Sequence, residues 1–270
     1  MSLSITGKTA IVTGAAHGIG AAIARHFVDR GANVMFADID EAKLHADIGN
    51  DAASEGAARY FAGDLCQKLT VNNLISATID AFDRIDILVN ASRCFEICDP
   101  LSTDGEVLEK MLSRNVTSGL RLSQMVAKRM ISQAEKDGTE NGQAIGSIIN
   151  LSSIAAQRSQ PELLAYSIAC AAQDQATRSL ALALAPKGIR VNAVAIGSMM
   201  SASLQSALRE RGELREAILD ATPLGRIAAA QEMVEAVQFL ASSGAGFITG
   251  QVLTVDGGRS LMDAVKVPAF

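Results

Sequence analysis

Short apolar runs rich in β-branched and aliphatic residues recur along the chain, separated by longer stretches whose apolar positions have helical spacing. Seven runs read as strands: Thr9 to Val12, Asn33 to Asp38, Arg59 to Ala62, Ile85 to Val89, Ser147 to Leu151, Arg190 to Ala195 and Gln251 to Val255. They lack apolar–polar alternation, which suits strands buried on both faces of a parallel sheet. Glu106 to about Gln133 predicts one long helix, with Asn115, a poor helix former, near its middle. Tyr166 to about Ala185 predicts a second, ended by Pro186 and Gly188. Strands alternating with helices from end to end imply one doubly wound α/β domain over residues 1–270, with helices on both faces of a seven-stranded parallel sheet.

Two stretches fit this alternation less well. Ala134 to Gly146 reads as a polar loop. Gly197 to about Pro223 is irregular, although Ser203 to Asp220 has helical periodicity. It follows the sixth strand at its carboxyl end, where ligands bind in open α/β sheets. Met199, Met200, Leu204 and Leu208 make 197–223 a candidate apolar lid over substrate. A surface helix pair without substrate contact is the other reading.

Chemistry enters at the first strand–helix junction, Thr13-Gly14-Ala15-Ala16-His17-Gly18-Ile19-Gly20. Glycines permit a tight turn and let backbone amides approach a pyrophosphate, and the helix that follows presents unpaired N–H groups to the same anion. Asp38, 18 residues after Gly20, ends the second strand where a carboxylate would accept bonds from an adenosine ribose. It would repel a 2′-phosphate, and no Lys or Arg lies between Gly14 and Gly20. The motif and the acid together read as an NAD site.

Composition narrows the class. With 49% hydrophobic residues the chain can bury a large core. A net charge of −5, with basic residues scattered, argues against nucleic acid as partner. No apolar run is long enough to span a membrane, and no signal-like pattern opens the chain, so a soluble, cytoplasmic protein is expected. Cys66, Cys94, Cys98 and Cys170 are too few and too scattered for a disulfide framework. No His follows His45 to complete a zinc set with Cys94 and Cys98.

The motifs, taken in order, resemble the short-chain dehydrogenase/reductase family over essentially the whole chain. They are Thr13-Gly14-x-x-x-Gly18-Ile19-Gly20, Asp64-Leu65, Asp86-Ile87-Leu88-Val89-Asn90, Asn115-Val116, Ser152-Ser153 with Tyr166, Ile189-Arg190-Val191-Asn192, Gly250-Gln251 and Asp256-Gly257-Gly258. The subgroup is similar to NAD-linked hydroxysteroid dehydrogenases and ketoreductases. The resemblance implies a Rossmann-type fold, a homotetramer, and hydride exchange between NAD and a secondary alcohol or ketone. Tyr166 would be the acid/base, Ser153 would bond the same substrate oxygen, and Asn115 would hold a relay water at a break in its helix. Gly14, His17, Gly18, Ile19, Gly20, Asp38, Asp64, Leu65, Asn90, Ala91 and Ile196 would bind the cofactor. The Met-rich lid favours a small hydrophobic substrate, and the segment from 259 to 270 reads as a tail whose Val265, Val267 and Phe270 would pack on a neighbouring subunit.

Three positions depart from the family pattern. Cys170 stands where a Lys is expected one turn after Tyr166. Asn90-Ala91-Ser92-Arg93 replaces Asn-Asn-Ala-Gly, and Ile196-Gly197 replaces Pro-Gly, with Ser201 in place of a Thr. Without the Lys, three readings stand: a working NAD-dependent oxidoreductase in which Arg93 supplies a cation near the nicotinamide ribose, an NAD-binding protein with impaired catalysis, or a chain in which Cys170 has taken a chemical role.

Overall fold

The computed structural model describes residues 3–52, 56–140, 142–200 and 202–263. All seven predicted strands form, β1 (Thr9–Thr13), β2 (Asn33–Asp38), β3 (Ala58–Ala62), β4 (Ile87–Asn90), β5 (Gly146–Ser153), β6 (Ile189–Ile196) and β7 (Val252–Val255). They make one parallel sheet in the order β3-β2-β1-β4-β5-β6-β7. The order reverses between β1 and β4, and the carboxyl ends of those strands open the crevice in which such sheets bind ligands.

Successive side chains of a strand point to opposite faces, and both faces are covered. On one face Val12, Val34, Phe36, Ile87 and Val89 pack against α1 (Gly18–Asp29), α2 (Glu41–Ala52) and α9 (Ala230–Ala241) through Phe27, Leu44 and Val237. On the other, Ile11, Met35, Leu88, Ile148 and Val191 pack against α3 (Lys68–Phe82), α5 (Ser118–Lys136) and α6 (Leu164–Leu184) through Leu74, Val126 and Ala181. This double burial is why the strands read as unbroken apolar runs. A third cluster, Met111, Ala155, Ala165, Tyr166, Ala169 and Cys170, is separate from both and contains the predicted Tyr166.

The predicted long helix is two helices, α4 (Glu106–Leu112) and α5, joined by one π-helical turn, Ser113–Thr117, that carries Asn115. Such turns interrupt helices where a side chain is re-aimed. α5 runs on through Lys136, so the polar loop before β5 is shorter than its composition suggests. The irregular stretch after β6 contains α7 (Ala202–Glu210) and α8 (Glu213–Asp220). The tail is described only through residue 263, so the packing expected of Val265, Val267 and Phe270 lies outside the described residues, as does Ser201.

Candidate active site

The Gly-rich turn is built by three glycines with three different duties. Gly14 has φ +66°, and a Cβ there would sit 2.9 Å from the Ala91 carbonyl oxygen and the Ser92 Cα, at the end of β4. Gly20 is helical, and a Cβ on it would come within 2.2 Å of the Gly14 carbonyl oxygen. Gly18 has φ +53° with open space where a Cβ would be. α1 therefore starts hard against β1, with its first turn facing the crevice. Its N-cap residue His17 makes no side-chain cap and no acidic residue occupies that turn, which leaves the terminal N–H groups for an external anion.

Of the predicted cofactor residues, Gly14, His17, Gly18, Ile19, Gly20, Asp38, Asp64, Leu65 and Ala91 line one cleft of about 490 Å³. Asp38 closes its β2 side. Its carboxylate accepts from the Ala16 N–H at 3.0 Å and the Asp40 N–H at 3.1 Å, so it is held to the turn itself. At the rim His17 pairs with Asp40 at 2.8 Å. The Lys43 N–H and then His17 hold the Asp40 carboxyl below its ordinary range. The Thr13 hydroxyl accepts from the Ala91 and Ser92 N–H groups at 3.0 Å each, tying β1 to the loop after β4.

Two predicted cofactor residues sit elsewhere. Asn90 is buried, and its amide donates to Ser123 Oγ at 2.9 Å and Asn150 Oδ1 at 2.8 Å. Asn150 in turn donates to Thr177 Oγ1 at 2.8 Å. The network joins β4, β5, α5 and α6 beneath the cleft. Ile196 is buried at the end of β6, where its carbonyl accepts from the Ser153 hydroxyl at 3.4 Å.

The predicted catalytic residues come from three elements, Tyr166 from α6, Ser153 from the end of β5 and Asn115 from the π turn. Tyr166, on the first turns of α6, is 7% exposed. Its ring is covered by the Arg93 guanidinium, 5.2 Å from the ring centroid, and meets the Phe95 ring edge-on at 5.4 Å. Ser153 ends β5, and its hydroxyl also accepts from the Ala155 N–H at 3.2 Å. Asn115 is occupied by the backbone: its Oδ1 accepts from the Cys94 N–H at 2.6 Å and its Nδ2 donates to the Cys94 carbonyl at 2.8 Å. This pincer gives the π turn its local cause, since the side chain of a mid-helix Asn has found a partner across the site.

Cys170 lies one turn after Tyr166 on the buried face of α6. Burial pushes its thiol up to about 11, against the pull of the adjacent Arg93. Burial also raises the carboxyl of Asp174, one turn further on. Arg93 lines the cleft, donates to the Ser152 carbonyl at 3.1 Å and lies beside the Cys170 thiol. Arg114, Ser118 and Met199 also line the cleft. No motif marked the first two, whose place follows from the π turn, whereas Met199 belongs to the predicted lid.

Over residues 14–260 the chain matches the family model described as enoyl-(acyl carrier protein) reductase. It is 32% identical over 261 residues to an uncharacterised oxidoreductase of Thermotoga maritima, covering 96% of this chain and 99% of that protein. It is also 32% identical to the 7α-hydroxysteroid dehydrogenase of Escherichia coli K12, over 95% of this chain and 96% of that one. A solved 7α-hydroxysteroid dehydrogenase, complexed with NADH and 7-oxoglycochenodeoxycholic acid, superposes with a TM-score of 0.85 at 30% identity, covering 95% of each chain. The chain belongs to the short-chain dehydrogenase/reductase family, as its motifs led one to expect. It is an oxidoreductase of that class, with the family's nicotinamide-cofactor fold. The uncapped α1 terminus and the open face at Gly18 fit a dinucleotide diphosphate in the cleft. Among the described residues no group of His, Cys, Asp and Glu is placed to hold a metal, and no helix is long and apolar enough to cross a membrane.

Proposed function

We propose that the protein is an NAD(H)-dependent oxidoreductase that moves a hydride between the nicotinamide and a secondary alcohol or ketone. The observation that carries this reading is the contact of Tyr166 with Arg93, a residue that itself lines the nucleotide cleft. An ionisable side chain thus packs on a residue that lines the proposed cofactor space. When bound, the nicotinamide supplies or accepts the hydride.

This chain's residues handle the oxygen. In reduction, Tyr166 gives its phenolic proton to the substrate oxygen as negative charge develops there; in oxidation its phenolate takes the proton back. The Ser153 hydroxyl turns from the Ile196 carbonyl to donate to the same oxygen. Asn115 holds the loop at Cys94, and a relay water on Asn115 has to share the amide with that backbone. Asp38, with its carboxylate in the cleft at the end of β2, favours a free ribose hydroxyl over a 2′-phosphate. Met199 and the α7–α8 segment act as the lid, which suits a small hydrophobic substrate. Exposed Leu182 on α6 and Leu253 on β7 support a homotetramer through those elements; a monomeric mass in light scattering would overturn that part.

The test pairs calorimetric binding of NADH and NADPH with single-turnover hydride transfer on a panel of ketones and secondary alcohols, for the native protein and Tyr166→Phe. Native protein is expected to prefer NADH and to turn over, while Tyr166→Phe binds NADH and loses turnover by several powers of ten. Cys170 at the position expected for Lys favours one second reading, an NAD-binding protein without catalysis. NADH binding with no turnover on any substrate would establish it. Absence of binding to either nucleotide would overturn both.

A further inference from the structure

Arg93 is a half-buried cation whose backbone is pinned on both sides. Before it, the Ser92 N–H is held by Thr13; after it, both polar groups of Cys94 are held by Asn115. The side chain is therefore delivered to one place. There its guanidinium donates to the Ser152 carbonyl, lies beside the Cys170 thiol and covers the face of the Tyr166 ring. Among the described residues no carboxylate forms an ion pair with it. Burial disfavours its charge, as it does for any desolvated cation without a counter-charge.

A partly desolvated cation without a carboxylate partner favours the anionic form of a neighbouring group that can adopt one. Cys170 does not serve, because its thiol keeps its proton at neutral pH. Asp174 lies a turn beyond Cys170, its carboxyl is raised by burial, and no bond joins it to Arg93. Cys94 and Cys98, which pack on the same apolar cluster, are thiols, and Arg114, which lines the same cleft, is a second cation. The ionisable group whose ring the guanidinium covers is the phenol of Tyr166.

We propose that Arg93 is the positioning cation of this site: from the ring face it favours the phenolate of Tyr166, and Cys170 is the small side chain that leaves the guanidinium room. The inference rests on the acid/base role given to Tyr166 above. It also assigns the loss of the expected Lys and the gain of Arg93 to one exchange, since a Lys at 170 would enter the space the guanidinium fills. The proton at the phenolic oxygen then comes and goes nearer neutrality than an ordinary tyrosine allows.

The chain has two tyrosines and no tryptophan, so Tyr60→Phe leaves Tyr166 as the one tyrosine chromophore. Its phenolate absorbance is titrated in that background, alone and with Arg93→Gln, Arg93→Lys, Cys170→Lys or Arg93→Gly/Cys170→Lys. Tyr166 is expected to titrate below the ordinary tyrosine value of about 10 in the parent, and Arg93→Gln to raise the midpoint by about 1–3 units. Arg93→Lys recovers part of that shift. Cys170→Lys alone crowds two cations and lowers the melting temperature, and the double exchange returns the midpoint to within about one unit of the parent.

A parent midpoint above about 10, the result burial alone would produce, overturns the proposal without any Arg93 variant having to fold. So does an Arg93→Gln titration that superimposes on the parent. A displaced midpoint in a protein that transfers no hydride supports the role of Arg93 and sinks the oxidoreductase reading. Hydride transfer with no displacement does the reverse.

Discussion

Gly20→Ala isolates the contact that sets the nucleotide turn. The added Cβ would lie 2.2 Å from the Gly14 carbonyl oxygen, 2.7 Å from its carbon and 3.0 Å from the Thr13 oxygen. All three are backbone atoms, so no side-chain rotation relieves the clash. Gly14 has no room to retreat, because its own Cβ position is 2.9 Å from Ala91 and Ser92 at the end of β4. Relief needs α1 to move off the sheet by roughly 1 Å, at the upper end of overpacking costs, about 3 kcal/mol. For a chain of 270 residues that is a loss of about 6–12 °C in melting temperature. Gly18→Ala is the control. Its Cβ meets nothing within 4 Å, and the cost is that of a left-handed alanine at φ +53°, about 1 kcal/mol. Thermal unfolding followed by circular dichroism, with NADH affinity measured on the same samples, separates the two. Gly20→Ala is expected to melt well below Gly18→Ala and to bind NADH at least tenfold more weakly than native protein. If Gly20→Ala melts at or above Gly18→Ala, close approach is not what requires a glycine at position 20.

Two further outcomes follow from the site. Asn115→Ala removes both bonds to the Cys94 backbone and should destabilise by about 2 kcal/mol at roughly 1 kcal/mol per bond, read by urea unfolding; a loss under about 0.5 kcal/mol would show that water replaces the pincer. Cys170, raised from 9.0 to about 11, keeps its proton in the folded state at pH values where the unfolded chain has lost it. Its contribution is therefore present below pH 9.0 and lost as pH rises towards about 11, up to about 3 kcal/mol in all. Cys170→Ala should flatten the fall of stability over that window, and an unchanged slope would place the alkaline loss in other groups.

The sheet was legible because its signal is local. Strands buried on both faces must be apolar throughout, so Asn33 to Asp38 could be bounded to the residue, and even β4 was displaced by only a residue or two. The Gly-rich turn and Asp38 were legible for a similar reason, since a tight turn with an anion site tolerates few residue types. The break at Asn115 was visible as a poor helix former, but its cause was not. The side chain answers to Cys94, 21 residues away, and only the packed loop brings them together. The three glycines look alike in the motif, yet one is required by a neighbouring carbonyl, one by φ and by the end of β4, and one by φ alone.

The chain by itself determined the order of strands and helices, the anion-binding turn and the residue types at the site, because periodicity and backbone preference act over a few residues. It also exposed two oddities, Arg93 and Cys170, as separate departures. Only the tertiary structure decided that they are neighbours. The order β1-β4-β5 sets the ends of β4 and β5 side by side, and α6 returns across them, so residues 77 positions apart come together. Where Asn90 turns, what Asn115 holds and which ring the guanidinium covers are settled there too, since each depends on the exclusion of water from a cluster that exists only once those elements are packed.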